Sequence, residues 1–308
     1  MRRVGDRGSS ESVDMRGSRV WFAVGAAILA AVAAWGFAPV FRALTAKWSS
    51  DPQYSHGYLV PALAGVILYV RRDRLRGAAP TCSPVGLPFI VAGAALYIAG
   101  GHLQFDWLSG IALVPLALGL LGILGGGPGF AWGWPAALFL AYMVPLPYQI
   151  ETGLSLPLRS LATQGSTWLL QLLGLAAVPE GNVILLEHGR VSVAEACSGL
   201  SMFLTFFALA TVVLIVARPP VLESVAVMVS VPAIAVASNV VRITATGLVA
   251  NAWGPEVAHD WVHDQAGWFM MPVALALLFL ELWMIGRACP VDTAEPKPLA
   301  GLLLPAPA

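Results

Sequence analysis

The sequence predicts an all-α polytopic membrane protein: a bundle of about eight transmembrane helices carrying an extracytoplasmic helix/hairpin insert. Three observations predict it. The 308 residues are 58% hydrophobic and 11% charged, against about 25% charged in a soluble domain, so a water-facing surface cannot be covered. The apolar residues fall into runs of the roughly 20 residues a bilayer needs, separated by Gly, Pro and charged breaks. The Lys and Arg residues gather on one side of those runs, as cytoplasmic loops do. A net charge of zero gives no case for a nucleic-acid partner. The three cysteines, Cys82, Cys197 and Cys289, are odd in number and far apart, which fits neither a disulfide framework nor a metal cluster. No phosphate-binding glycine loop is present, and no metal or other cofactor is expected.

Residues 1–19 hold five arginines and no apolar periodicity, and read as a cytoplasmic tail. A single transmembrane domain is expected over 20–286. Val20–Val40 exceeds the roughly 7–15-residue core of a secretory signal and reads as an uncleaved first span. A polar stretch, 41–57, precedes a short second span, Gly57–Val70, which ends at Arg71-Arg72-Asp73-Arg74. Pro84–Gly101 is the third span, Leu108–Leu124 the fourth and Phe130–Val144 the fifth. The turn Gly125-Gly126-Gly127-Pro128-Gly129 separates the last two, and Pro145-Leu146-Pro147 stops the fifth.

Ile150–Leu175 mixes apolar residues with Glu151, Arg159, Gln164 and Gln171. That polar load suits an interfacial or re-entrant amphipathic helix better than a span. Val178–Val193 alternates β-branched and apolar residues with glycines, predicting a hairpin with its turn near Glu187-His188-Gly189-Arg190. Ala196–Ala217 is the sixth span, closed by Arg218-Pro219-Pro220. Val221 to about Ala250 is the seventh, interrupted by Pro232 and carrying Asn239 and Arg242. Residues 251–265 form a polar loop and Ala266–Ile285 the eighth span. The segment 287–308 reads as a disordered cytoplasmic tail.

With the N-terminus inside, Lys and Arg divide twelve inside to five outside. On that topology Tyr54-Ser55-His56, Cys197, Arg242 and His263 all fall at the outer side. A lone cysteine in an apolar chain is usually a packing residue. At a membrane boundary it can ionise beside a cation or base. An arginine inside an apolar helix is a functional hypothesis by default, its bland alternative being snorkelling to the interface. Asn239 stands three residues before Arg242 and shares its face. For the base, His263 competes with His259 and His56. A nucleophilic thiol needs an imidazole and an oxyanion donor, and this set of residues holds both. Glu195 reads equally as a contact for a basic substrate group or as a solvated carboxylate.

Glu195-Ala196-Cys197-Ser198-Gly199-Leu200, Asn239-Val240-Val241-Arg242-Ile243, and His263 with Gly267-Trp268 resemble the motifs of the exosortase/archaeosortase family. Asp51-Pro52-Gln53-Tyr54-Ser55-His56-Gly57 and Pro145-Leu146-Pro147 are similar to its upstream motifs. The similarity spans roughly 50–285, in order. Ser201 stands where some members carry arginine. The resemblance implies a membrane cysteine transpeptidase or protease of the plasma membrane, working on the extracytoplasmic face. It would cut a C-terminal sorting signal of the Pro-Glu-Pro type on membrane-anchored exported proteins, alongside exopolysaccharide production. It makes Cys197 the nucleophile, Arg242 the transition-state stabiliser and His263 the proton-transfer residue. Tyr54, Ser55, His56, Glu195, Ser198, Gly199 and Asn239 become substrate-binding or supporting positions. The expected partners are these substrate proteins and the lipid bilayer. Two other classes fit a polytopic bundle: a transporter or scaffold for exopolysaccharide export, in which Cys197 is dispensable, and an acyl or glycosyl transferase centred on His56.

Overall fold

A computed structural model describes residues 23–75, 83–193 and 199–254, with positions 257, 276–277, 279–281, 283–284 and 287 beyond. Cys197, Glu195, Ser198, His259 and His263 lie outside the described residues, as does most of the expected eighth span. Four helical stretches among the described residues are long and apolar enough to cross a membrane. A fifth is added if the bent pair α1 (Ala23–Gly36) and α2 (Ala38–Ser50), which meet at 57°, is one span. The chain divides into two compact units, residues 1–46 with 72–141, and 47–71 with 142–308.

In the first unit, α4 (Leu87–Leu103) runs antiparallel to α5 (Asp106–Ile111) and to the first leg of α6 (Leu113–Phe139). Gly86, Gly93 and Gly100 recur every seven residues, and a side chain there would press on Gly119, Leu116 and Ser109 in turn. Without water to drive helices together, such a small-residue seam lets two backbones approach closely. α6 is not one rod. Gly126 has φ 58° and ψ −150°, and Gly129 and Gly133 fold back onto Leu121. The expected glycine turn therefore separates two antiparallel legs, matching the predicted fourth and fifth spans.

α2, most of which belongs to the first unit, continues through the polar stretch that follows the first predicted span. Phe37, Val40, Leu44 and Trp48 are buried at helical spacing, and that one-sided period wins over the polar average. A 3-10 helix, Pro52–Tyr58, capped by the Asp51 carboxylate on the Gln53 N–H, leads into α3 (Leu59–Val70). α7 (Tyr148–Leu172) is a continuous helix and is not among the helices apolar enough to cross. After it the predicted hairpin is a three-stranded antiparallel meander: β1 (Ala177–Glu180), β2 (Val183–Leu186) and β3 (Gly189–Ser192). The extra strand holds Pro179, opposite Ile184; β1 is an edge strand, where a missing N–H is tolerated.

α8 (Leu200–Ala217) turns at Arg218-Pro219-Pro220 into α9 (Val221–Trp253) and packs against it antiparallel. Met202, Phe206 and Ala210 share a core with Val227, Val231 and Ala235. The two helices differ in length, 18 residues against 33. At about 1.5 Å per residue α8 matches the roughly 30 Å hydrocarbon layer and α9 outruns it by several turns. The surplus end of α9 is covered by α7 and the sheet: Ile243 and Ala250 pack with Ala162, Leu170, Ala177, Ile184, Val191 and Val193.

Candidate active site

Two clusters of expected site residues can be built from the described residues, both within the second unit. The first surrounds the 3-10 helix. Three residues per turn put Tyr54 and Gly57 on one side; both are buried with His56, while Ser55 is exposed. Ser55 Oγ donates to the Pro52 carbonyl, 2.9 Å away, a local turn bond. Tyr54 Oη donates to Glu151 Oε2 at 3.0 Å and accepts from the Leu146 N–H at 3.2 Å. The other carboxylate oxygen of Glu151 accepts from Gln53 Nε2 at 3.0 Å. Trp48 Nε1 donates to the Met143 carbonyl at 2.9 Å, and its ring fills the space that any side chain at Gly57 would need. The motif 51–57 is thus laced onto the Pro145-Leu146-Pro147 bend. Burial, then the Glu151 charge, pushes the Tyr54 phenol well above its usual range, so it remains a donor.

His56 is 5% exposed, and its Nε2–H donates to the Tyr142 carbonyl at 3.2 Å. Nδ1 is buried without a hydrogen bond of good geometry. Burial holds its pKa below the ordinary value, opposed in part by the carbonyls of Tyr142 and Gln53. Tyr142 in turn bonds Thr211 of α8 through its hydroxyl, 2.9 Å away. Thr211 lies about three turns along α8 from Gly199. A neutral imidazole tied to mid-helix serves as a strut, and this weakens a site centred on His56.

The second cluster stands at the start of α8. Gly199, the last residue of the cysteine motif's Ser-Gly step, has φ 68° and caps α8. A side chain there would meet Asn239 Nδ2 at 3.1 Å and Leu158 Cβ at 3.7 Å. Left-handed backbone and close approach together require glycine. Three elements therefore converge: the entry to α8, the inner face of α7, and α9 at Asn239, which is 1% exposed. Arg242 is one turn further along α9, where that helix passes the end of α8. Its carbonyl accepts from Thr246, and it is part-buried. Only Glu223 and Arg242 are charged in α9, so the guanidinium marks the level at which α9 leaves its apolar partner. Snorkelling and function both require that level.

The structure brings Gly199 to Asn239, and Tyr54 and His56 to the Pro145–Glu151 segment. Sequence reasoning missed Glu151, Trp48 and Tyr142, which supply the partners for the upstream motif. The signal for Glu151 was present: a carboxylate in a segment otherwise bent on burying apolar residues needs a partner.

The family model described as Transmembrane exosortase (Exosortase_EpsH) matches residues 48–280. No curated protein and no solved structure gave a match.

Proposed function

Because the chain belongs to the transmembrane exosortase family, whose general role is membrane protein sorting, we propose that it is a cysteine transpeptidase or protease that cuts a C-terminal sorting signal of exported proteins. The observation that carries this reading is the packing of Gly199 against Asn239, one turn below Arg242. Gly199 follows Cys197 by two positions in the expected motif. The contact of Gly199 with the helix that carries Arg242 supports this reading.

In the proposed reaction the substrate's own membrane helix lies against the bundle, and confinement to the bilayer aligns the reactants. The Cys197 thiolate attacks the scissile carbonyl carbon. Arg242 donates hydrogen bonds to the oxyanion, where scarce water makes them strong. The C–N bond breaks as His263 delivers a proton to the leaving amine. The thioester is then resolved by an amine, which yields a new amide, or by water. The site faces the exterior of the plasma membrane, following the Lys and Arg bias.

Incubation with a membrane-anchored reporter, acid quench and mass spectrometry test this directly. The expected result is the reporter's N-terminal fragment on Cys197, with Cys197→Ala giving neither adduct nor cleavage. Cleavage at the wild-type rate by Cys197→Ala ends the thiol mechanism.

A further inference from the structure

The two edges of the small sheet are finished differently. The Val193 N–H donates to the Asn182 carbonyl at 2.8 Å, which extends the β2–β3 register by one pair and fixes its parity. In an antiparallel ladder alternate residues turn their N–H and C=O toward the partner strand. Gly189, Val191 and Val193 therefore bond β2, while Arg190 and Ser192 turn both main-chain groups to the far side. The same alternation carried across β2 makes Val178 and Glu180 the bonded residues of β1 and leaves Ala177 and Pro179 on that strand's outer side. That edge is closed: the Ala177 carbonyl accepts from Gln171 Nε2 of α7 at 2.8 Å, and Pro179 has no N–H to offer. An edge without such a block is a template for another strand. β3 has none. Among the described residues no fourth strand pairs with it, and no main-chain bond reaches Arg190 or Ser192 from the outer side. Arg190 is exposed and Ser192 part-exposed.

This open edge is tied to the candidate site. Val191 and Val193 share a core with Ile243 of α9, and one turn before Ile243 stands Asn239, which Gly199 meets. Adjacent turns of one helix thus support β3 and the entry to α8, and in the sequence β3 is followed by the expected cysteine motif. We propose that β3 is a substrate-binding strand: a stretch of the exported protein ahead of its membrane helix adds to the open edge as a fourth, antiparallel strand. Two of its residues, spaced two apart, exchange main-chain bonds with Ser192 and Arg190. So short an edge buries too little to hold two folded copies together. It suffices to register a peptide whose membrane helix already confines it. The inference rests on the peptide-cleaving reading given above and adds to it how the peptide is held.

The probe is a synthetic peptide with a sorting segment, a membrane helix and a basic cluster, N-methylated at one segment residue at a time. Binding to Cys197→Ala is measured in detergent. Strand addition predicts losses of about tenfold at every second residue of the bound stretch, with little change between them. Ser192→Pro removes the outward N–H and spares the bonds to β2. It should bind about tenfold more weakly than Ser192→Ala, which keeps that N–H, at a similar thermal midpoint. Single cysteines moved along the segment should crosslink to Ser192→Cys at alternate positions, in a chain otherwise free of cysteine. A uniform N-methylation profile overturns the proposal, whether or not Ser192→Pro folds. A crosslinking period of three or four residues also overturns it, because the bound segment is then a helix. Ser192→Cys dimers formed without peptide do the same by giving the edge to a second copy. Alternating binding by a protein that never cleaves its reporter breaks the catalytic reading and leaves the strand pairing intact. Cleavage without alternation does the reverse.

Discussion

The two clusters of the second unit are built in opposite ways. Around Tyr54 almost every polar group has a protein partner: phenol, carboxylate, amide, indole and imidazole are joined to one another or to the Met143, Tyr142 and Leu146 backbone. Around Gly199 the helices meet on a glycine and an asparagine, and Arg159 and Arg242 stand part-buried nearby. Closed hydrogen bonding makes a rigid strut. The charge at the helix junction is part-exposed, within reach of whatever approaches that end of α8. Substitutions should separate the two regions: activity without stability in one, stability without chemistry in the other.

The largest effects are expected beside Gly199. Arg242→Ala should lower cleavage by about a hundredfold to a thousandfold, the usual loss of an oxyanion donor, while the protein still inserts and keeps its thermal midpoint in detergent. A midpoint that falls as far as the activity would move Arg242 from chemistry to packing. Gly199→Ala should follow. It forces a side chain into left-handed backbone, at about 1 kcal/mol, and presses on Asn239 Nδ2. If Gly199 aims the cysteine motif as proposed, activity should drop more than tenfold for a modest shift in midpoint. Equal activity in Gly199→Ala would show that the contact with Asn239 does not position the motif.

The strut should answer differently. Glu151→Ala leaves the Tyr54 hydroxyl and the Gln53 amide without their acceptor. Of the two, the Tyr54 hydroxyl belongs to a buried residue, and the loss of its acceptor costs about 1–3 kcal/mol. Thermal unfolding in detergent should show that loss, with the folded fraction retaining most of its cleavage rate. Ser55→Ala, on the exposed side of the same 3-10 helix, should change neither measurement. A loss of catalysis in folded Glu151→Ala would merge the two regions into one site.

The membrane architecture was legible in the sequence because a bilayer imposes a length and a polarity that composition reveals. The glycine turn at Gly126 and the amphipathic stretch read over 150–175 were legible for the same reason. Each breaks an apolar run at a place where the break needs a purpose. The helix through 41–50 was hidden because its buried apolar residues, Leu44 and Trp48, are few and only their spacing betrays them. The third strand was hidden by Pro179, which argues against a strand until an edge position is known. The partners of Tyr54 were out of reach for a different reason. Glu151 is about a hundred residues away, and pattern reading detects periodicity, not pairing between distant segments.

The smallest predicted effect concerns pH and tests the strut through His56. Its pKa in the folded protein lies below the ordinary value near 6.5, because burial disfavours the charged ring. Between those two values the unfolded chain binds more protons than the folded one. Stability therefore rises with pH across that window. The contribution of the neutral ring is complete above about pH 6.5 and is lost as pH falls through the window, with a slope of at most about 1.4 kcal/mol per pH unit. His56→Gln preserves a donor toward the Tyr142 carbonyl and cannot titrate. Between pH 8 and 5 the thermal midpoint of the wild type should fall more steeply than that of His56→Gln. Parallel curves would mean that the ring accepts its proton without strain, and that the region around Tyr54 is as open to water as the one around Gly199.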